Sequence, residues 1–400
     1  MIFLSYNKQM ERLLSPFYQS KLLNTLFLSN IFLTFHYALI IYVNSSLLDN
    51  FFSETQISAL YIIGSIINTL LLLNTSKILD GISLYRFTIY TLIIELLATV
   101  GLLASNNPLL VGLYFIVHHI AITFIYFNMD VFVEKVSTNE NMTGSIRATY
   151  MTLANITFVI SPAIVAFLVF DNVYTYVYLT SSLFLLPMFY LIRKFKKLEI
   201  KTINHIKIRE TTAEYIKDKN LYDIFISNFL LQLFYAFMVI YMPLYLEKII
   251  GFSWGQIGLI FTIMLVPFVI FEVPVGEMED DKYGEKEFLT IGFVILGLAT
   301  MIMSFITLQS FWLWATILFI SRIGASLVEV SVESYFFKRV NQEKSDVIAF
   351  FRISRPLSFI IAPLLAALSL QFIPFQYVFI VIGAIMIVGC HYSLGLQDTK

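Results

Sequence analysis

The stretch from Phe311 to Val340, FWLWATILFISRIGASLVEVSVESYFFKRV, is apolar enough to cross a membrane as one helix, yet it carries polar residues at regular spacing. Arg322, Ser326, Glu329 and Glu333 stand at i, i+4, i+7 and i+11, so they lie on one helical face. A charge near the bilayer centre costs about 2.5–3.5 kcal/mol even on lenient scales. This face must therefore contact protein or a water-filled path.

A second segment repeats the pattern. His119, Thr123, Tyr126 and Asp130 have the same spacing, and each stands 203 positions before its counterpart (322 − 119 = 203). Two helices with one polar stripe at one register indicate a duplicated membrane domain with a shared cavity between its halves.

The composition supports a membrane protein. Hydrophobic residues make up 58% of the 400 residues and charged residues only 13%, far from the values of a soluble globular chain. Apolar segments recur along the chain, each near the roughly 20 residues that cross a hydrocarbon core. We therefore predict an all-α, polytopic membrane protein. The net charge of −1 gives no indication of a nucleic-acid partner.

The sequence contains no glycine-rich phosphate loop, so direct use of ATP is not expected. His118 and His119 are neighbours that point to different helix faces, so they are not expected to chelate a metal together. The single cysteine, Cys390, excludes an intramolecular disulfide. The prediction is a protein without cofactor or metal that is not an enzyme.

Hydropathy predicts twelve spans. They cover residues 22–43, 56–73, 84–105, 108–129, 147–170, 173–193, 222–246, 255–276, 288–308, 311–337, 347–370 and 374–396. The first exceeds the length of a signal-peptide core and lacks an Ala-x-Ala site, so we expect it to be retained. Lysine and arginine fall almost entirely in loops on one side, with Lys248 as the exception, which predicts cytoplasmic termini in a multi-pass cell-membrane protein.

The longest connection is basic and divides the chain. We predict an N-terminal six-helix bundle over residues 1–193, a cytoplasmic linker over 194–220 and a C-terminal six-helix bundle over 221–400. Internal similarity supports the division, because Ser29-Asn30 in span 1 matches Ser227-Asn228 in span 7 at an offset of 198 (227 − 29 = 198).

Two stretches carry a resemblance to a known family. Residues 251–258, GFSWGQIG, and residues 274–286, PVGEMEDDKYGEK, resemble the entry to the eighth span and the cytoplasmic loop motif G-x-L-x-D-R-x-G-R-K of the major facilitator superfamily. The chain departs from the motif in a spacing one residue longer after Gly276 and in Glu285, which replaces a basic residue. The resemblance implies twelve helices in two pseudo-symmetric six-helix bundles that transport solute by alternating access.

In that family, spans 1, 4, 7 and 10 line the central cavity. Applied to this sequence, the resemblance implies these substrate or cavity residues: Asn30, His36, Tyr37, His119, Thr123, Tyr126, Asn228, Gln232, Tyr235, Arg322, Ser326 and Glu329.

The loop motif and the cytoplasmic ends of the stripes imply a gate. Its candidate residues are Asp80, Asp130, Gly276, Asp280, Asp281, Lys282, Gly284, Lys286 and Glu333. An aspartate at a helix end accepts backbone N–H groups and pairs with cations, so such a latch stabilises one state and breaks in the other. Glu333 and Asp130 are expected to pair with Lys338, Arg339, Arg352 or Arg147. The alternative is a solvated cytoplasmic turn.

Four positions bear on mechanism. Arg322 lies about 16 Å along its helix from Phe311, near the midplane, and is expected to contact substrate or a carboxylate such as Glu329. The alternative is a structural ion pair. His36 and His119 are candidates for proton transfer or ordinary helix contacts. Glu95 is another proton site or a residue paired with an unseen neighbour.

The predicted function is secondary active transport of a small solute, coupled to protons, by a monomer in the lipid bilayer. The alternatives are an uncoupled facilitator or a multidrug/proton efflux antiporter. A second class of alternatives comprises a lipid translocator and a membrane scaffold that transports nothing.

Overall fold

The structure is a computed structural model that describes residues 21–75, 81–136, 143–170, 173–198, 208–279, 283–339 and 345–397. Twelve helices in these ranges are long and apolar enough to cross a membrane, which confirms the predicted fold class. The spans run Lys21–Asp49, Glu54–Leu73, Leu84–Ala104, Pro108–Val133, Thr149–Leu168, Thr175–Phe195, Lys219–Ile250, Trp254–Gly276, Glu285–Met303, Phe311–Arg339, Phe350–Ser369 and Phe375–Gly395. They are called spans 1 to 12 below.

The helices themselves extend or subdivide these spans. In chain order they are Lys21–Ile40, Asn44–Asp49, Glu54–Leu73, Leu84–Ala104, Pro108–Val136, Thr143–Leu168, Thr175–Leu191, Ile208–Lys217, Lys219–Leu244, Trp254–Met278, Glu285–Met303, Phe311–Arg339, Ser345–Arg352, Ser354–Ser369 and Phe375–Gly395. Span 6 ends in a 3₁₀ turn at Ile192–Phe195, and span 7 ends in a π turn at Tyr245–Ile250.

Side-chain caps fix where several spans begin. Ser253 and Gln256 form a reciprocal capping box at the start of span 8. The Asp218 carboxylate accepts hydrogen bonds from the backbone N–H groups of Asn220 and Leu221, which starts span 7. The Asn107 side chain accepts the Leu109 N–H at 2.9 Å, just before span 4. These caps satisfy backbone donors that have no partner within the helix.

Helix contacts divide the described chain into two compact units, with breaks after Ile41, after Leu73 and in the central loop. Unit 1 holds the main part of span 1 and spans 3 to 6. Within it, span 1 packs against spans 5 and 6, and span 3 packs against spans 4 and 6.

Unit 2 holds the end of span 1 from Tyr42, span 2 and spans 7 to 12. Span 9 packs between spans 10 and 12, span 7 contacts spans 10, 11 and 12, and span 2 packs on span 11. The division of the chain into bundles at residues 193 and 221, which follows from internal repeats, stays a prediction.

The connecting helix Ile208–Lys217 is docked on unit 2. The Tyr215 hydroxyl donates a hydrogen bond of 2.8 Å to the Val347 carbonyl, and its ring lies against Phe225 and Phe350. Burial raises the pKa of Tyr215 above its ordinary value, so the hydroxyl remains a donor at physiological pH. This contact holds the end of the central connection beside span 11.

Spans 9 and 10 approach so closely at Gly324 that a side chain has no room. A Cβ at this position would lie 2.5 Å from the Leu296 nitrogen and 2.7 Å from the Gly292 carbonyl oxygen, both backbone atoms. We expect Gly324→Ala to lower the free energy of unfolding by about 1–3 kcal/mol, because the helices must separate. Thermal unfolding of the purified protein measures this.

Gly276→Ala is the matched control for that measurement. Gly276 is also helical, but an added Cβ would meet only Val330 Cγ1 at 3.7 Å, an ordinary contact. Equal unfolding temperatures for the two variants would contradict the close approach of spans 9 and 10.

Candidate functional site

Three ionisable side chains meet in the interior of unit 1. Glu95 of span 3 receives hydrogen bonds at the same carboxylate oxygen, Oε1, from His36 Nε2 of span 1 at 2.7 Å and from His118 Nδ1 of span 4 at 2.6 Å. The residues are 0%, 0% and 1% exposed, respectively. The unseen neighbours that the sequence left open for Glu95 are therefore two histidines. We call His36, Glu95 and His118 the histidine–glutamate cluster.

A fourth helix completes the surroundings of this cluster. In span 6, the hydroxyl oxygen of Ser181 lies 2.7 Å from His36 Nδ1, and the Ser181 backbone carbonyl oxygen lies 3.1 Å from the same nitrogen. The same hydroxyl lies 2.8 Å from the His36 carbonyl oxygen. Thr99 donates to the Glu95 carbonyl at 2.7 Å. Glu95 Oε2 has no hydrogen-bond partner among the described residues.

Among the described residues, the three side chains of the cluster are also close enough together to bind one metal ion. One ligand atom from each residue falls within 4.8 Å of the others. However, both ring nitrogens lie at hydrogen-bond distance from one carboxylate oxygen, so protons occupy the space between them. The arrangement suits proton binding directly, without any movement of the side chains.

Sequence reasoning selected His119, and the structure places its neighbour His118 in the cluster. The ring of His119 is half-buried and stacked on Phe115 at 6.1 Å between centroids. The pattern shared with span 10 favoured His119. The useful signal was Glu95, an acidic residue midway along span 3, which requires a partner on a neighbouring helix.

Other predicted cavity residues of unit 1 make helix contacts. The Asn30 amide donates a 2.7 Å hydrogen bond to the Tyr150 carbonyl and joins spans 1 and 5. Tyr37 meets Tyr126 edge to face at 5.5 Å between centroids, which joins spans 1 and 4. Thr123 donates to the His119 carbonyl one turn earlier in the same helix. Tyr37, Tyr126 and Thr123 are half-buried.

Arg322 lies in the interior of unit 2 and is 2% exposed. Its guanidinium carbon stands 4.7 Å from the centre of the Phe234 ring of span 7, in cation–π geometry. The Tyr42 hydroxyl lies near enough to the guanidinium to interact with it electrostatically. The Nη1 atom has no hydrogen-bond partner among the described residues.

Glu329, two turns further along span 10, is paired differently from the expectation. It accepts a 2.8 Å hydrogen bond from the Tyr235 hydroxyl of span 7, and no ion pair joins it to Arg322 within the described chain. Asn228 donates a 2.9 Å hydrogen bond to Ser354 and so joins spans 7 and 11. The buried Ser326 bonds its own helix at Ile323, while Gln232 is half-buried.

Part of the predicted gate is described. Arg352 donates two hydrogen bonds, of 2.5 and 2.9 Å, to the two oxygens of Glu333, one of the pairings expected.

Among the other predicted gate residues, Gly284 has a φ of 77°, which only glycine adopts without strain. Lys286 donates to the Leu396 carbonyl at 3.3 Å, and Asp130 is exposed while Gly276 is half-buried. Asp80, Asp280, Asp281 and Lys282 lie outside the described residues.

Two acidic residues within the loop-motif stretch make contacts that sequence reasoning did not predict. Glu279, at the end of span 8, accepts a hydrogen bond from Ser331 of span 10 and is fully buried. Glu285, at the start of span 9, pairs with Lys338 at 2.5 Å and accepts a hydrogen bond from Ser334 at 3.2 Å, also from span 10. The glutamate that departs from the family motif thus joins span 9 to the C-terminal end of span 10.

Residues 224–397 match the family model described as Major Facilitator Superfamily. No curated protein matches the chain in sequence. Among solved structures, the nucleoside transporter NupG is 12% identical, with a TM-score of 0.72 over 94% of this chain and 98% of that one.

Two further structures share the fold. A bacterial homologue of the human lysosomal transporter Spinster, in an inward-facing and unoccupied conformation, is 10% identical, with a TM-score of 0.73 over 94% of this chain and 97% of that one. The human organic anion transporter MFSD10 is 12% identical, with a TM-score of 0.67 over 94% of this chain and all of that one. At these sequence identities, the structural similarity is evidence of a shared fold and of nothing more specific.

Proposed function

Because the resemblance to the Major Facilitator Superfamily is confirmed by the family match and the shared fold, we propose that this chain is a proton-coupled secondary transporter that moves a small solute by alternating access. The single observation that carries the coupling is the buried histidine–glutamate cluster. The solute contact is assigned to Arg322 in unit 2. Membrane transport itself follows from the family and the twelve spans.

The charge of the cluster favours one bound proton. A Glu95 carboxylate with one imidazolium and one neutral imidazole has no net charge, whereas loss of the proton leaves a single negative charge inside the bundle. Such a charge is costly in a membrane interior. Release of the proton therefore requires water to reach the cluster, which links protonation to conformation.

The hydrogen bonds around His36 accommodate both protonation states. When Nδ1 is unprotonated, it accepts from the Ser181 hydroxyl while Nε2–H donates to Glu95. When His36 is an imidazolium, Nδ1–H donates to the Ser181 carbonyl at 3.1 Å, and the hydroxyl turns to the His36 carbonyl at 2.8 Å. Rotation of one hydroxyl is sufficient, so a proton can enter or leave without repacking the helices.

The proposal also includes the orientation of the protein in the membrane, its location and its oligomeric state. The basic residues place both termini in the cytoplasm, in a multi-pass protein of the cell membrane that acts as a monomer. Movement of the two predicted six-helix bundles then opens the solute site first to one face of the membrane and then to the other.

Reconstitution into liposomes tests the proposed function. Solute counterflow is measured with a library of labelled anions, cations and neutral solutes, and any solute that exchanges is then tested for accumulation under an imposed pH gradient. Counterflow with gradient-driven accumulation is the expected result. Counterflow without accumulation identifies an uncoupled facilitator, and extrusion of amphiphilic drugs against proton entry identifies an efflux antiporter.

The same liposomes examine the other class of function. Movement of labelled phospholipid between leaflets, in the absence of any solute flux, would contradict the proposal and identify a lipid translocator. Absence of both activities in protein that remains monodisperse would identify a membrane scaffold.

A further inference from the structure

Arg322 presents a buried positive charge without a carboxylate. The side chain is 2% exposed in the middle of span 10, and a guanidinium remains charged under all physiological conditions. No described aspartate or glutamate forms an ion pair with it, and Glu329 is occupied by the Tyr235 hydroxyl instead. A buried charge without a counter-ion carries a large free-energy penalty, and within membrane proteins such residues mark functional sites.

The groups around Arg322 compensate only part of this penalty. The Phe234 ring face, 4.7 Å away, attracts the cation, and the nearby Tyr42 hydroxyl interacts with it electrostatically. The donor Nη1 is buried and lacks an acceptor among the described residues. The missing contribution is therefore a negatively charged acceptor that reaches the Nη1 side of the guanidinium.

The side chains around Arg322 indicate what kind of molecule carries the acceptor. Tyr42 packs against Phe261 of span 8 at 4.9 Å between ring centres, and Tyr235 packs against Phe268 at 6.1 Å. Aromatic side chains thus lie on the Phe234 and Tyr42 sides of Arg322. Two half-buried carboxylates are nearby: Glu329, two turns away on span 10, and Glu272, which acts on Tyr235. This environment suits one anionic group attached to an apolar or aromatic body.

We propose that Arg322 binds the oxyanion of a small organic anion, with a carboxylate as the simplest form. The proposal rests on the proposed function, because it names the class of solute that the transporter carries. A planar carboxylate accepts two parallel N–H bonds from a guanidinium, which satisfies Nη1 and neutralises the charge in one step. A neutral amide of the same shape offers one weak acceptor and leaves the charge in place.

Equilibrium binding to the purified full chain in detergent tests the assignment. The probes are benzoate and phenylphosphonate as oxyanions and benzamide as a neutral analogue of benzoate, measured by isothermal titration calorimetry. We expect the oxyanions to bind about tenfold to a hundredfold more tightly than benzamide, the range for hydrogen bonds to a charged group. Arg322→Gln should remove this preference, and Arg322→Lys should weaken it, because an ammonium cannot form the two parallel bonds.

Arg352→Gln is the matched control, since Arg352 already pairs with Glu333 and is 52% exposed. Monodispersity and unfolding temperature establish that each variant is folded. Equal affinity for benzoate and benzamide, no binding of either oxyanion, or an unchanged preference in Arg322→Gln would overturn the proposal. Counterflow of a neutral or cationic solute in liposomes would still uphold the transport function, so failure of the two proposals is distinguishable.

Discussion

Arg322→Gln should abolish solute transport while the protein remains folded. The substitution removes the buried cation of span 10 and leaves an amide of similar length beside Phe234 and Tyr42. A hydrogen bond to a charged group contributes about 1.5–3 kcal/mol, so flux should fall by about a hundredfold if the solute depends on this contact. The folded protein should lose little stability, because an unpaired buried charge is itself destabilising.

Counterflow in proteoliposomes measures the effect on Arg322→Gln. Arg352→Gln serves as the control, because it removes an arginine that already pairs with Glu333, one of the expected gate residues. That variant should retain exchange of the solute, although its rate can change with the gate. Full flux in Arg322→Gln would end the assignment of Arg322 to the solute.

Glu95→Gln is expected to separate solute exchange from proton coupling. The amide occupies nearly the same volume, so the contacts with His36 and His118 can persist in altered hydrogen-bonded form. An amide carries no negative charge, so the adjacent histidine loses the counter-charge that holds its proton. Accumulation driven by a pH gradient should therefore fall to the level without a gradient, while counterflow, which needs no net proton movement, continues.

His119→Ala provides the comparison for Glu95→Gln. It removes a histidine adjacent to the cluster in sequence, whose ring stacks on Phe115, whereas the hydrogen bond to Glu95 comes from His118. Gradient-driven accumulation should persist in this variant. If Glu95→Gln accumulates solute as well as the unmodified protein does, the cluster is a structural polar contact and the proton binds elsewhere.

The fold could be predicted from the sequence because the bilayer imposes a length on each apolar segment. Every predicted span corresponds to a helix of the structure, with ends that differ by a few residues. The largest differences are at the C-terminal ends of spans 1 and 4, where the helices run on to Asp49 and Val136. At the start of span 7 the capping residue Asp218 begins the helix before the apolar run begins. Hydropathy does not detect such caps, since they act through backbone N–H groups.

The pairing of polar side chains was only partly predictable. Spacing assigned His119 to a stripe, but one residue is a rotation of about 100° on a helix, and the neighbouring His118 is the one that reaches Glu95. Helix spacing orders residues on one helix and does not determine which face of the next helix they meet. For the same reason the sequence suggested Glu329 as a partner for Arg322, whereas Tyr235 of span 7 takes that carboxylate.

The gate residues, too, were predicted only in part from the sequence. The sequence predicted Glu333 as a gate residue that pairs with Lys338, Arg339, Arg352 or Arg147, and in the structure its partner is Arg352. Glu279 and Glu285 were read only as parts of a motif. Their contacts with Ser331 and Lys338 depend on the close approach of spans 8, 9 and 10, which no local pattern encodes.

Accessibility of one position from both sides of the membrane tests alternating access most directly. Cys390 is the only cysteine, so Ser326→Cys in a Cys390→Ser background places a single thiol one turn from Arg322 on span 10. An impermeant maleimide should label this thiol when added from either side of oriented vesicles, and transported solute should slow both reactions. Labelling from one side only, or from neither side under any solute or pH condition, would contradict a central site that serves both sides in turn.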